Sequence, residues 1–244
     1  SVGIEIPGQR VLLIAGGLCA SGRVPELVVV PDTADLVVGQ GVKLFAVGRD
    51  ASGNLTAFNN LTWEVTDPAI AVVDSGGLLL ARQPGTTTVT AAIGPGAQVR
   101  ATVISRARRP VWYVDAAKAK QAPVQLGTPR WPFSTPQRAF PHLAEGDTIR
   151  IAPGSHDYED FSYCYAGSCY YNNELFAGVV IIGDTLADGT RPVLRARVQD
   201  GETGFSWQRG GHAELRNLVL DGFYYGAYLD GVQTLVVENV RVQH

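Results

Sequence analysis

The sequence is poor in charge and has no long hydrophobic run. Charged residues make up 18% of the 244 residues, against roughly a quarter in an average soluble domain. The longest apolar stretch, residues 11–18, is interrupted by Gly16 and Gly17 and is shorter than the roughly 18 residues that a spanning helix needs. The formal net charge of −3 lacks the basic excess typical of nucleic-acid binding. We therefore expect neither a membrane span nor a nucleic-acid partner.

Cysteine is also scarce, with three residues in the chain. A structural zinc site needs four ligands at paired spacings, and because the sequence lacks them we predict no metal and no cofactor. Cys164 and Cys169 flank a short segment containing Gly167 and Ser168, which predicts a local disulfide and hence an oxidising compartment. The alternative is two unpaired thiols beneath a cluster of tyrosines. No role is assigned to Cys19.

The first 24 residues are predicted to form an extended segment. Val2, Ile4 and Ile6 alternate with polar or small residues, which is the pattern of a strand. A secretory signal peptide would begin with a basic region, whereas this segment carries Glu5 near its start.

Residues 25–105 show an almost pure period of two, which predicts strands. Short apolar runs recur at roughly 8–12 residue spacing, as in a β-sandwich. A turn cluster, residues 50–54, separates two of them. The prediction for this region is an antiparallel β-sandwich with Trp63 in its core.

Two segments of this region carry a family resemblance. Residues 63–78 read WEVTDPAIAVVDSGGL, and residues 84–91 read PGTTTVTA. This order of a Trp strand, an Ala-x-Val-Asp-x-x-Gly turn and a Gly-Thr strand resembles the bacterial Ig-like group 2 family. The resemblance implies a spacer or adhesion module of a secreted or surface protein.

Residues 106–110 are predicted to be a linker with solvated arginines, and a second domain is predicted over residues 111–244. Residues 112–115 (WYVD), 127–140 (GTPRWPFSTPQRAF) and 146–154 (GDTIRIAPG) follow in order. Residues 135–143 are predicted to form a short helix, with Ser134 or Thr135 as the N-cap and Pro136 at the first helical position. Together the three segments resemble the N-terminal entry of right-handed parallel β-helix proteins of the pectate-lyase-like superfamily. The predicted fold class is therefore all-β, an Ig-like sandwich followed by the first coils of a right-handed parallel β-helix.

An internal repeat supports the second prediction. Residues 214–220 (ELRNLVL) align with residues 236–242 (VVENVRV) at an offset of 22, a repeat length that suits one coil of a solenoid. The alignment places Asn217 over Asn239. We predict that both lie at the turn between two strands of a coil and stack as an asparagine ladder.

Charged residues on the predicted coils are candidates for chemistry. The resemblance implies acidic polysaccharide substrates, with calcium held by carboxylates only if the protein is a lyase. Arg195 and Arg197 alternate, so they share a strand face and could bind carboxylates. The structural alternative is that these charges are solvated and protect the strands from aggregation, and no residue is assigned as catalytic. The full candidate set is Arg195, Arg197, Arg216, Arg241, Asp184, Asp188, Asp200, Glu202, Asp221 and Asp230.

A tyrosine-rich loop between residues 156 and 174 is the other candidate site. Aromatic rings with carboxylates and amides are typical of carbohydrate sites, although the loop could equally be a disulfide-pinned cover for the solenoid. Tyr224, Tyr225 and Tyr228 could extend the same surface. The predicted carbohydrate-binding residues are Tyr158, Tyr163, Tyr165, Tyr170, Tyr171, Glu174, Arg195 and Arg197.

Two classes of function remain open from the sequence. The first is a secreted or surface structural protein, in which an Ig-like spacer carries a β-helix that presents an adhesive face to a polysaccharide or cell-surface glycan. The second is the front part of a polysaccharide lyase or hydrolase, or of a phage tail-spike depolymerase. Assembly with other copies is a further hypothesis, in which residues 1–24 pair with the strand edge at residues 236–242.

Overall fold

The computed structural model describes residues 26–49, 55–58, 61–93, 97–157, 163–165, 168–170, 174–175, 177–196, 203–208 and 211–243. These residues fall into two compact units. The first unit extends to Arg108 and also includes Gln121–Leu126, and the second consists of Arg109–Lys120 and the chain from Gly127 onward. Strands dominate both units, which confirms the predicted all-β class.

The first unit contains strands in three sheets around an apolar core. The sheets have the strand orders β1-β4-β5, β2-β10-β9-β6 and β3-β8-β7, and every pair is antiparallel except β2–β10. The strands are β1 (Glu26–Val30), β2 (Thr33–Val37), β3 (Gly41–Lys43), β4 (Phe45–Arg49), β5 (Leu55–Ala57), β6 (Leu61–Val65), β7 (Ala71–Val73), β8 (Leu78–Ala81), β9 (Gly85–Ile93) and β10 (Ala97–Arg106).

Alternation builds the core of this unit. On β9, Val89 and Ala91 are buried, and on β10, Ala101 and Val103 are buried, because successive side chains of a strand point to opposite faces. Polar contacts supplement the core: Arg106 binds the Asp35 carboxylate through Nε at 2.7 Å and Nη2 at 3.0 Å.

Trp63 was expected in the core and is only half-buried. Its ring lies over Gly77, which has φ +85°, and a Cβ there would come within 3.0 Å of two Trp63 ring carbons and 2.8 Å of the Leu44 carbonyl oxygen. Trp63 therefore covers a glycine turn at the margin of the core.

Residues 121–126 pack with the first unit, which the sequence did not indicate. Buried Gln40 accepts from the Val37 backbone N–H at 3.1 Å, and its side-chain amide donates to the Leu126 carbonyl oxygen at 3.5 Å. A segment distant in sequence thus completes the polar groups of the β2–β3 turn.

The second unit is a stack of coils joined by parallel pairing. Its three sheets have the strand orders β11-β12-β17-β20-β23, β13-β18-β21-β24 and β16-β19-β22, and a separate hairpin pairs β14 with β15. The elements are β11 (Val111–Val114), α1 (Ala116–Ala119), β12 (Thr148–Ile151), β13 (Gly154–Asp157), β14 (Tyr163–Tyr165), β15 (Ser168–Tyr170), β16 (Glu174–Leu175), β17 (Val180–Gly183), β18 (Pro192–Arg195), β19 (Thr203–Gln208), β20 (His212–Arg216), β21 (Val219–Asp221), β22 (Tyr225–Asp230), β23 (Thr234–Glu238) and β24 (Arg241–Gln243).

We call the sheets of the second unit sheets 1, 2 and 3 in that order, and number the coils from their sheet-1 strand. Coil 1 begins with β12, coil 2 with β17, coil 3 with β20 and coil 4 with β23. Each of coils 1 to 3 contributes one strand to every sheet. The register places Glu214 beside Val236 and Leu215 beside Val237, the same residues that the 22-residue repeat aligns.

Aliphatic and aromatic residues stack in columns inside the coils. Trp112, Ile149, Ile181 and Leu215 occupy successive positions of sheet 1, and all four are buried. The next position in the column is Val237, which is 54% exposed. Each buried column position therefore depends on the coil stacked on it.

The region before coil 1 packs as an aromatic cluster. Trp112 stacks on Phe133 and His142 with ring centroids 5.9 and 5.2 Å apart, and its Nε1–H donates to Asp147 at 3.3 Å. Arg109 was expected to be solvated in a linker, but it is buried, with its guanidinium 5.2 Å from the Trp112 ring centroid. That expectation was wrong because the fold buries Arg109 against the ring of Trp112, three residues further along the chain.

The predicted short helix at residues 135–143 is two 3-10 turns, Pro136–Arg138 and Phe140–His142. Thr135 takes the N-cap position without a side-chain capping bond. The regular helix is instead α1, capped by the Asp115 carboxylate, which accepts from the Lys118 N–H at 2.9 Å.

Candidate functional site

Several of the candidate charges form ion pairs between neighbouring coils. Arg195 lies opposite Asp221 in the β18–β21 register, with Nε 3.4 Å from Oδ2. Arg150 binds Asp184 at 2.6 Å. Since opposite charges on neighbouring strands stabilise a sheet by roughly 0.2–1 kcal/mol, these pairs join successive coils. This arrangement supports the structural interpretation of the charges.

Arg216 forms the centre of a larger network. Its Nη1 lies 3.0 Å from Glu238 of the next coil, and its Nε pairs with Glu214. Glu214 also contacts His212 Nε2 at 3.2 Å. Glu214 is therefore engaged from two sides within β20 rather than directed toward a substrate.

The remaining candidates do not form one cluster. Asp188 lies in the loop before β18, where the Thr190 N–H donates to it at 2.8 Å and lowers its pKa. Asp230 and Arg241 are exposed on different sheets. Among the described residues, no group of three His, Cys, Asp or Glu side chains is arranged to hold a metal ion. Arg197, Asp200 and Glu202 lie outside the described residues.

Asn217 and Asn239 occupy corresponding turns between sheet 1 and sheet 2. Both have positive φ, 56° and 55°, a conformation that Asn tolerates better than most residues. The Asn239 Nδ2–H donates to Asn217 Oδ1 at 2.9 Å. The two amides thus bridge coils 3 and 4 at the position where the sequence predicted a ladder.

Arg191 completes this arrangement and was not singled out from the sequence. Its Nη1 donates to the Asn239 carbonyl oxygen at 2.7 Å and to Asn239 Oδ1 at 2.6 Å. Because Arg191 precedes β18 of coil 2, a side chain from coil 2 reaches the turn of coil 4. Only the three-dimensional stack brings these residues together, so no sequence signal could have found the contact.

The tyrosine-rich loop contains the hairpin β14–β15. Its register places Tyr163 opposite Tyr170, Cys164 opposite Cys169 and Tyr165 opposite Ser168. Glu174 begins β16, which pairs with β19. Tyr158 and Tyr171 lie outside the described residues. The backbone of the hairpin thus brings together three of the predicted tyrosine positions.

A second tyrosine cluster lies on coil 3. Tyr224, Tyr225 and Tyr228 are 61%, 49% and 46% exposed. The rings of Tyr224 and Tyr225 meet edge-on at 4.5 Å between centroids, and those of Tyr225 and Tyr228 meet at 6.4 Å. These contacts make the three rings one continuous aromatic surface.

The surroundings of two histidines lower their pKa values. Burial lowers the pKa of His142, and the positive charge of Arg109 lowers it further. Burial also lowers the pKa of His156, against weaker opposing effects of the Ala152 carbonyl, Asp115 and Asp157. His156 Nε2 lies 2.7 Å from the Ala152 carbonyl oxygen, and Nδ1 lies 3.4 Å from the Ala116 nitrogen. His156 therefore links α1 to coil 1 and has a structural role.

Within the described part of the chain, no helix has the length and apolar character needed to span a membrane.

Residues 23–103 match the bacterial Ig-like domain (group 2) family. This match covers the sandwich of the first unit and confirms the resemblance carried by residues 63–78 and 84–91. The chain therefore contains a bacterial Ig-like domain followed by a unit of stacked parallel strands.

Comparison with whole proteins gives weaker likenesses. No curated protein matches the chain. Domains 5–6 of the S-layer protein SbsC are 22% identical over 36% of this chain and 47% of that chain, with a TM-score of 0.32. An intimin mutant of EHEC O157:H7 is 20% identical over 32% and 45%, with a TM-score of 0.25. A GH10 xylanase with a bacterial Ig-like domain, from termite gut, is 14% identical over 63% and 40%, with a TM-score of 0.25. The chain spans less than half of each of these structures.

Proposed function

We propose that this chain is part of an extracellular or cell-surface structural protein, in which the bacterial Ig-like domain carries a β-helix that presents a binding face. The pairing of the outer charges between coils supports this proposal most directly. Arg195 pairs with Asp221 and Arg216 pairs with Glu238, so these charges join strands of neighbouring coils. Stacked coils joined in this way keep their outer strand faces in a fixed arrangement, which suits a protein that presents a binding face.

The β-helix is proposed to be the right-handed type of the pectate-lyase-like superfamily. Three sheets with parallel pairing support this assignment, as do the 22-residue register between coils 3 and 4 and the entry motif at residues 146–154. In a parallel solenoid each coil contacts only the coils next to it. Loops at the side of a coil can therefore differ in length while the stacking of the coils is kept.

Export is proposed together with a disulfide between Cys164 and Cys169. Residues directly opposed in an antiparallel pair have Cα atoms about 4.5–5.5 Å apart, within the range that a disulfide spans. Forming the bond transfers two electrons and two protons from the thiols to a thiol–disulfide oxidoreductase of the export compartment. Mass mapping of a non-reduced digest should find the linked peptides, and free thiols at both positions would contradict the proposal.

The surface location is tested on intact cells that express the gene naturally. Antibodies against the purified chain should label unpermeabilised cells or detect the protein in the medium, and added protease should remove the surface label. A cytoplasmic enzyme serves as the control for cell integrity. Labelling that needs permeabilisation would refute an extracellular function.

The enzymatic alternative is tested on the same purified chain. We expect no unsaturated product after incubation with polygalacturonate, with or without calcium. Product formation that is lost in an Arg195→Gln variant, but kept in an Arg106→Gln variant of the first unit, would instead favour a lyase.

A further inference from the structure

Residues 121–126 pack with the first unit, although they lie within the second unit in sequence. The chain leaves the first unit after Arg108, returns to it for Gln121–Leu126, and continues in the second unit from Gly127. The match to the bacterial Ig-like family ends at residue 103. The segment is therefore an addition to the Ig-like domain from outside the bounds of the family. We call residues 121–126 the strap.

The strap is uncharged and packed. It reads QAPVQL, and its side chains at Ala122 and Leu126 are 5% and 0% exposed. Val124, between these two, is half-buried. Connections between domains are ordinarily exposed and make few contacts. Burial of two apolar side chains in six residues therefore indicates a docked segment rather than a solvated connection.

The surface that the strap meets includes the turn between β2 and β3. Gln40 in this turn is 4% exposed, although its neighbours Gly39 and Gly41 are exposed. The Gln40 side chain accepts from the Val37 N–H at 3.1 Å, and its amide donates to the Leu126 carbonyl oxygen at 3.5 Å. Since buried amide groups need hydrogen-bond partners, a residue outside the family match completes a polar group within it.

Both ends of the strap are held by residues of the second unit. Before the strap, the Lys120 N–H donates to the Ala116 carbonyl oxygen at 3.2 Å, at the end of α1. After it, the Gly127 carbonyl oxygen accepts from the Tyr113 N–H of β11 at 3.0 Å. Gly127 has φ +67°, and a Cβ there would come within 2.6 Å of a Trp112 ring carbon. The chain after the strap is therefore packed closely against the aromatic cluster.

We propose that the strap couples the stability of the bacterial Ig-like domain to folding of the second unit. A segment held at both ends meets its partner surface intramolecularly, so contacts that are weak for a free peptide suffice to keep it docked. Unfolding of the second unit frees both ends, and the advantage is lost. The Ig-like domain then keeps its full stability only while the second unit is folded. This inference goes beyond the proposed function and holds wherever the protein is located.

The first test replaces the strap in the full chain with Gly-Ser-Gly-Ser-Gly-Ser. The matched control places the same six residues at positions 185–190, a loop of the second unit in which every residue is exposed. The readout is hydrogen exchange at the Val37 N–H, which bonds to Gln40 Oε1. We expect exchange at least tenfold faster in the strap variant and within twofold of the unmodified chain in the control. Equal exchange in all three chains would overturn the proposal.

A milder pair of substitutions keeps the test informative if the strap variant misfolds. Leu126→Ala shortens the fully buried side chain of the strap, and Leu186→Ala removes the same atoms from a side chain that is 53% exposed. Leu126→Ala should speed exchange at the Val37 N–H at least fivefold, whereas Leu186→Ala should change it less than twofold. Similar rates in the two variants would show that the strap does not protect the β2–β3 turn.

The second test asks whether docking of the strap requires the second unit. Ile149→Asp with Ile181→Asp places two carboxylates in the buried column of sheet 1, which should unfold the second unit. Lost exchange protection in β12 and β17 verifies that it has unfolded. We expect the Val37 N–H to exchange as fast in this chain as in the strap variant. Combining the two changes should cause no further acceleration, because both remove the same contact.

Two outcomes of this second test contradict the coupling. If the Val37 N–H stays as protected as in the unmodified chain, the strap docks without the second unit. If the two changes speed exchange additively, the strap and the second unit act on the Ig-like domain independently. Loss of protection throughout β9 and β10, in the strap variant as well as in the chain with the unfolded second unit, would be the expected result in a stronger form.

Discussion

The two units solve the same problem, burying apolar strand faces, in different ways. In the first unit, strands distant in sequence pair mostly antiparallel around one core, and positions such as Leu79 and Val103 are buried by different elements. In the second unit, corresponding positions of successive coils bury one another, as in the column of Trp112, Ile149, Ile181 and Leu215. The burial of a side chain in the first unit therefore depends on several different elements packed around it. In the second unit it depends on the corresponding residues of the neighbouring coils.

The hydrogen-bond partners of polar side chains differ between the two units in the same way. Gln40 completes a turn of the first unit through the distant Leu126 carbonyl. Asn217 and Asn239 complete two turns of the second unit through each other. The comparison predicts that the position of a residue within its column decides the effect of substitution in the second unit, and that local crowding decides it in the first.

The largest effect is expected for Trp112→Ala at the start of the buried column. Truncating a buried Trp costs about 3–5 kcal/mol, and here it also removes the stacking partner of Phe133 and His142. Val237→Ala, at the exposed end of the same column, should cost less than about 1 kcal/mol. Urea unfolding of both variants measures the difference, and equal losses would contradict the dependence on column position.

Leu79→Ala tests the core of the first unit in the same manner. Leu79 is fully buried and its neighbour Leu78 is 51% exposed, so the two substitutions remove the same atoms in opposite environments. We expect a loss of about 2–5 kcal/mol for Leu79→Ala and a change within about 0.5 kcal/mol for Leu78→Ala. Thermal unfolding should separate them by several degrees. A shared midpoint would show that β8 does not alternate between core and solvent.

Two features of the fold could be predicted from the sequence. Period-two alternation located most strands of the first unit, because burial of one face imposes that pattern on each strand separately. The repeat at residues 214–220 and 236–242 likewise predicted which residues pair between coils 3 and 4. Both patterns are local or repeated, and both are visible in one sequence.

Contacts between distant segments could not be predicted. Gln40 and Leu126 are 86 residues apart in sequence, yet the Gln40 side-chain amide donates to the Leu126 carbonyl oxygen. The partners of Arg195 and Arg191 depend on coil register, which only the repeat at residues 214–220 and 236–242 made visible in the sequence. The sequence therefore identified candidate charges such as Arg195 and Arg216 without showing which residues they pair with.

Glycine substitutions sharpen the comparison by separating backbone strain from crowding. Gly77 and Gly39 share a φ of +85°, but a Cβ at Gly77 meets Trp63 and a carbonyl oxygen, whereas a Cβ at Gly39 meets nothing within 4 Å. Gly39→Ala should cost about 1 kcal/mol from the left-handed backbone alone. Gly77→Ala should cost at least about 2 kcal/mol, since crowding adds to the strain. Equal losses in chemical denaturation would show that Trp63 moves away freely.

The asparagine positions allow a similar separation in the second unit. Asn217→Gly keeps a residue that accepts positive φ but removes the amide, whereas Asn217→Ala loses both advantages. We expect losses of about 1 kcal/mol for the glycine variant and about 2 kcal/mol for the alanine variant. Hydrogen exchange at the Arg241 N–H, which bonds to the Leu218 carbonyl, should rise in both. If the alanine variant is as stable as the unmodified chain, the amide contact contributes nothing to coil stacking.

The smallest effect is expected from pH, through His156. The Ala152 carbonyl can only accept, so Nε2 carries the proton and Nδ1 accepts from the Ala116 N–H. Protonating Nδ1 would set two N–H groups against each other, and burial lowers the pKa of His156 below its ordinary value of 6.5. A lowered folded-state pKa means that the unfolded chain binds the extra proton first. Stability is therefore retained above about pH 6.5 and falls as the pH drops below it, by at most about 1.4 kcal/mol per pH unit for one histidine.

His142 contributes with the same sign, so the measurement compares the unmodified chain with His156→Gln and His142→Gln by urea unfolding at pH 7.5, 6.5 and 5.5. Each variant should lose part of the acid dependence, and His156→Gln should also speed hydrogen exchange at Ala116. An acid dependence that persists unchanged in His156→Gln would show that the link between α1 and coil 1 does not require a neutral ring.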